Sequence, residues 1–315
     1  MGFFSSLFSP AQSEEENQQK VDMKNFDILK YDGLRAQRMG KYDYAVKCFT
    51  EALKIHKDFE TMKYLMSVYY LLNRHDQMLE VLNEMIDTGQ EPVTTLLTRA
   101  SLLFTMGKNT EAAEDCSQVI ALEPENHIAY FQLAKSEQAL GESDKSIDHL
   151  THAIRIKEDF AEGYLFRAEI NYTLKNGDNA LSDIEKVIEL TPEDEIAYLL
   201  RGRIYELMGN TAAALADYQY VSELNPFNED AYLLTGQLMM SQDKYDEAIV
   251  LFDEAIEHND KFVKAYIARA LAKRKTGDME GAIADEEKAK ELIPDENEKA
   301  AGGHNFDDLY KGNII

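Results

Sequence analysis

"AYLLRGRIYELMGN" runs from Ala197 to Asn210, and "AYLLTGQLMMSQDK" runs from Ala231 to Lys244, thirty-four residues further on. The tyrosine, the paired leucines and the glycine return, while Arg201 becomes Thr235. Self-similarity at such a period marks a stacked array of supersecondary units, not one globular core. Working outward at this step sets unit starts at Phe26, Glu60, Val93, His127, Ala161, Glu195, Glu229 and Val263, with the second unit one residue short. The eighth unit ends near Glu296.

In this register position 8 holds Gly33, Ser67, Ala100, Ala134, Ala168, Gly202, Gly236 and Ala270, all small, as two closely approaching helices require. Position 20 is alanine or serine in every unit except the second, which has Leu79. Between them, position 15 supplies Gly40, Gly107, Gly141, Gly209 and Gly277, suited to the left-handed residue that ends a helix. Pro124, Pro192, Pro226 and Pro294 at position 32 separate one unit from the next. Each unit is therefore expected to be a hairpin of two helices of about a dozen residues, roughly 20 Å long.

With Tyr130, Tyr164, Tyr198, Tyr232 and Tyr266 at position 4, these features resemble the tetratricopeptide repeat family over Phe26 to Glu296. The resemblance implies an all-α fold, an α-solenoid superhelix of about eight helix-turn-helix repeats. It also implies that the first helices of the hairpins line a concave wall that takes an extended peptide or a partner helix. The second unit departs most, with Lys63 at position 4, Arg74 at the turn and Leu79 at position 20, so local irregularity is expected there.

Composition narrows the function classes. Thirty-three Lys and Arg stand against 58 Asp and Glu, a formal charge of -25, which repels phosphate backbones and excludes nucleic acid as a partner. Cys48 and Cys116 lie in apolar helical patterns and read as buried thiols of a reducing compartment, so a cytoplasmic location is expected. No phosphate-binding loop, HExxH or CxxC motif occurs, and His149 with His152 lacks a third ligand. The expectation is a non-enzymatic scaffold with no cofactor and no metal.

The expected groove lining is an apolar column, Phe131, Leu165, Leu199, Leu233 and Ile267, flanked by Lys135, Glu169, Arg203 and Gln237 and by Tyr172, Glu206 and Met240. Such a wall suits a basic or amphipathic protein segment. The alternative is that the column packs against a neighbouring helix. Tetratricopeptide arrays that clamp the acidic tails of chaperones do so with Lys and Asn on successive first helices. That pattern is not reproduced here, and chaperone tails are not expected.

Position 7 carries Arg99, Arg167, Arg201 and Arg269, and position 23 carries Asp115, Asp183, Asp217 and Asp285 in the same four units. A half-buried, two-point ion pair inside each hairpin is expected; shared descent without contact is the alternative.

The ends read differently. Residues 1–25 form a partly disordered leader whose Phe3, Phe4, Leu7 and Phe8 offer a second function class, a peripheral membrane adaptor, although a membrane is not the expected partner. Gly2 and Ser6 fit a myristoylation pattern, and no export signal is visible. Residues 297–315 contain Phe306, Leu309, Tyr310, Ile314 and Ile315 and are expected to fold back as a cap on the last repeat.

Overall fold

Sixteen helices and no strand make up residues 10–293, the part described by the computed structural model, with side chains from Glu14 onward. The leader residues ahead of Pro10 and the tail 297–315 lie outside the described residues. The helices pair into eight hairpins, from α1 (Pro10–Arg38) with α2 (Tyr42–Ile55) to α15 (Val263–Thr276) with α16 (Met279–Leu292). The chain divides between Glu158 and Asp159 into two compact units of four hairpins each.

In the first unit, α3 (Phe59–Leu71) pairs with α4 (His75–Asp87), α5 (Pro92–Thr105) with α6 (Asn109–Leu122), and α7 (His127–Ala139) with α8 (Ser143–Ile156). In the second, α9 (Ala161–Thr173) pairs with α10 (Gly177–Leu190), α11 (Glu195–Leu207) with α12 (Thr211–Leu224), and α13 (Glu229–Ser241) with α14 (Tyr245–His258). Each hairpin buries one apolar face against its neighbours, because neither helix could bury it alone.

Every hairpin turns on one left-handed residue two positions before the second helix. Glycine fills it at 40, 107, 141, 209 and 277, while Asn73, Lys175 and Asp243 take φ of 52, 60 and 59°. Asn73 and not Arg74 makes the second turn, and Asp58 caps α3 by accepting the Thr61 N–H at 2.9 Å. These two fixed points correct the register. The second hairpin starts at Phe59, and the missing residue comes from the loop 56–58, three residues where 123–126 has four. Met62, Met66 and Met78 thus take the places assigned to Lys63, Ser67 and Leu79, and Met62 and Met78 are buried.

The first helix also starts earlier than Phe26. Helix α1 runs on from Pro10, so residues 10–25, read as leader, are helical. No glycine, interior proline or turn signal stands between Ala11 and Asn25 to stop it.

Inside a hairpin the residues sixteen apart meet as complementary volumes. Where position 8 is glycine the facing side chain is aromatic: Gly33 with Phe49, Gly202 with Tyr218 and Gly236 with Phe252, and a Cβ at any of the three would overlap the ring. Where it is alanine, the residue sixteen on is smaller, as in Ala100 and Cys116, which share one apolar cluster, and Ala168 and Ile184, which share another. Phe49, Tyr218 and Phe252 are completely buried, so these pairs set the distance between the two helices.

Candidate partner-binding faces

In the first unit the first helices leave an open cleft. Its floor is α5, where Thr94, Thr98, Ser101 and Thr105 recur at three- and four-residue steps beside the half-buried Leu97. Met66, Ser67 and Tyr70 of α3 and Gln132 of α7 complete a volume of about 570 Å³. Thr98 donates to the Thr94 carbonyl at 2.8 Å and Thr105 to that of Ser101 at 3.0 Å, so these two hydroxyls are satisfied on their own helix, and the stripe is uncharged. Tyr70 stands two-thirds exposed at the lip. On α7, Phe131 and Lys135 are half-buried, and the Lys135 Nζ lies 4.9 Å from the Phe104 ring centre and 5.9 Å from that of Phe131. Leu97 and Ser101 were outside the expected lining, although they occupy the same unit positions as Phe131 and Lys135.

In the second unit the expected apolar column is not presented. Leu165 is half-buried, but Leu199 and Leu233 are more than nine-tenths buried and Ile267 is fully so. Leu199 packs with Tyr218 and Leu238, Leu233 with Phe252 and Ala248, and Ile267 with Ala289. Apolar side chains at this position belong to the inter-helix core, which corrects the reading of Leu199, Leu233 and Ile267 as lining. Of the expected lining, what remains outward is mostly polar: Glu169, Arg203 and Glu206 are exposed, with Tyr172, Gln237 and Met240 half-buried. Glu206 accepts a short hydrogen bond from the Tyr218 hydroxyl, whose ionisation burial pushes well above its ordinary range. Although its side chain is exposed, neighbouring groups displace water from the Glu169 carboxyl and push it above its ordinary value.

The arginines at position 7 do not face a ligand; each closes on its own second helix. Arg99 Nε and Nη2 lie 2.8 and 2.6 Å from the two carboxylate oxygens of Asp115, and Arg167 holds Asp183 at 2.9 and 2.7 Å. Arg201 holds Asp217 at 2.8 and 2.6 Å, and Arg269 holds Asp285 at 2.9 and 2.5 Å. All four aspartates are buried. The guanidinium carbons of Arg167, Arg201 and Arg269 lie 5.8, 5.2 and 5.4 Å from the rings of Tyr164, Tyr198 and Tyr266, three residues earlier on the same helix.

Arg99 and Arg269 reach beyond their own hairpins. Arg99 Nη1 donates to Asn83 at 2.7 Å and Arg269 Nη1 to Asp253 at 2.5 Å, each sixteen residues back in the preceding hairpin. They staple three helices, and the symmetric spacing of sixteen before and after was the available signal. In the fourth repeat, with Leu133 at the arginine position, His149 bonds instead to buried Glu137 at 2.7 Å.

Models of the tetratricopeptide repeat family match residues 97–159, 173–229, 206–274 and 263–296. The chain belongs to the tetratricopeptide repeat family. Among curated relatives, RNA polymerase II-associated protein 3 of Mus musculus and of Homo sapiens are each 27% identical over 146 residues. That match takes in 45% of this chain but 21% of the relatives, so it spans about a fifth of their length. Of solved structures, the C-terminal part of a tetratricopeptide protein from Cytophaga hutchinsonii aligns with TM-score 0.61 and 19% identity, over 79% of this chain and all of that one. A tetratricopeptide protein from Parabacteroides merdae aligns with TM-score 0.58 and 17% identity, over 82% and 99%. At these identities the likeness is one of fold. Tetratricopeptide repeats indicate a protein-protein interaction scaffold and are generally non-catalytic.

Proposed function

We propose that this scaffold binds an extended, amphipathic segment of a partner protein along α3, α5 and α7 of the first unit. The observation that carries this reading is the open, uncharged cleft at Leu97 and Ser101, against the filled column of the second unit. Apolar side chains of the partner enter between Tyr70 and Leu97, and the hydroxyl stripe offers acceptors to its backbone N–H groups. Basic residues flanking the bound segment are favoured by the charge of -25. The reading sets the protein in the cytoplasm, and the two buried, unpaired thiols support a reducing compartment.

The test is selection of peptides from a phage-displayed library on the full chain, followed by fluorescence anisotropy. Leu97→Glu with Ser101→Glu should weaken the selected peptides at least about tenfold, the effect of roughly 1.4 kcal/mol lost at an interface. Unchanged affinity, with loss instead on Glu169→Lys and Arg203→Glu, would move the site to the second unit and sink this reading.

A further inference from the structure

We infer that the outer face of α1 is a docking surface for an anionic lipid bilayer. Helix α1 turns Phe26, Gly33 and Ala36 inward. The opposite side, at three- and four-residue steps, carries Lys20, Val21, Lys24, Ile28, Tyr31, Arg35, Arg38 and Met39, with Asp27 its acidic member and the half-buried Asp32 at its edge beside Arg35 and Met39. Val21, Ile28, Tyr31 and Met39 are 50, 49, 65 and 60% exposed, an unusual run of large apolar side chains in water on one helix. Tyr44, at the start of α2, continues the patch.

Charge selects the occupant. Between Lys20 and Lys47 the sequence has seven Lys or Arg against four Asp, in a chain where acids outnumber bases 58 to 33. Lys30 is taken by Asp58 at 2.8 Å, whereas Lys20, Lys24, Arg35 and Arg38 have no carboxylate within ion-pair distance among the described residues. Cations interleaved with apolar side chains on a convex helix face match the phosphate and acyl layers of a bilayer surface. The rest of the acidic molecule is repelled by the same surface, which orients this hairpin toward it. Among the described residues no helix is long and apolar enough to cross a membrane, so the helix lies on the surface.

A second copy fits less well, because set face to face it would bring the unpaired cations together. Docking of an acidic protein face, including another copy's, is an outcome of the test below.

The test is flotation of the full chain with vesicles of phosphatidylcholine alone and of an equal mixture of phosphatidylcholine and phosphatidylserine, at low and high salt. Binding is expected only to the anionic vesicles and falls with salt. Lys24→Glu with Arg35→Glu and Arg38→Glu should reduce it by roughly a hundredfold, and Ile28→Ser with Tyr31→Ser should reduce it at every salt concentration. If the triple reversal lowers the melting temperature, Lys24→Gln with Arg38→Gln gives the same reading more gently. Absence of binding, equal binding to both vesicles, or binding that survives the charge reversal overturns the inference. So does a variant that changes only the sedimentation of the protein on its own, which would assign the face to another acidic chain.

Discussion

Arg201 grips Asp217 at two points, Nε to one carboxylate oxygen at 2.8 Å and Nη2 to the other at 2.6 Å, across the turn that joins α11 to α12. Asp217 is 5% exposed and sits beside Tyr218 and Gly202, where the helices are closest. Removing the arginine leaves a largely buried carboxylate without its counter-ion. Arg201→Ala is expected to cost about 3 kcal/mol in urea unfolding, more than a surface ion pair would. In a double-mutant cycle the two residues should couple by roughly 0.5 kcal/mol or more; additive effects would show that the pair contributes nothing beyond its separate parts.

Gly202→Ala places a methyl group into the Tyr218 ring and should destabilise the protein by about 1–3 kcal/mol through overpacking. Adding Tyr218→Ile copies the Ala168 and Ile184 arrangement of the fifth repeat and should recover most of that loss. A double variant no more stable than the single one would show that ring volume is not the constraint.

Lys175 holds φ of 60° at the turn between α9 and α10, where five other hairpins have glycine. Its Cβ is strained there, so Lys175→Gly should raise the stability by about 1 kcal/mol despite the greater freedom of glycine in the unfolded chain. Thermal unfolding measures it, and a lowered midpoint contradicts the strain.

Burial pushes the Cys116 thiol up from an ordinary value of 9.0 to about 12. The folded state therefore holds this proton where the unfolded state releases it. Its stabilisation is complete below about pH 9 and is lost as pH rises toward 12, by up to about 1.4 kcal/mol per pH unit. Wild type should lose stability more steeply than Cys116→Ala over that window, and at neutral pH the thiol should resist alkylation until the protein unfolds. Parallel pH profiles would count against it.

Much of this was legible in the chain because an array repeats its errors as well as its rules. Glycine at five turns and small residues at two positions gave the hairpins, and the matched spacing of four arginines and four aspartates gave the pairs. The register of the second hairpin was not legible. Its turn uses Asn73, and a methionine at each diagnostic position hides the small-residue pattern. The apolar column misled for a physical reason: hydrophobicity marks burial, and on a stacked hairpin a leucine is as well buried by its neighbour as by a ligand. Leu199 and Ile267 are core, whereas the cleft formed where Thr98 stands in place of Leu200 and Leu234, and Ser101 in place of the longer Lys135, Glu169, Arg203 and Gln237.

The matched volumes of Gly202 with Tyr218, Gly33 with Phe49 and Gly236 with Phe252 also constrain how a gene of this kind can grow. A crossover in a loop between hairpins, such as 191–194 or 225–228, hands on each glycine together with its ring. A crossover at an inner turn, joining the helix of Ala100 to that of Tyr218, hands on a methyl group and an aromatic ring that need the same space. The hairpin is thus the smallest heritable module, and the seams for duplication or loss lie outside it.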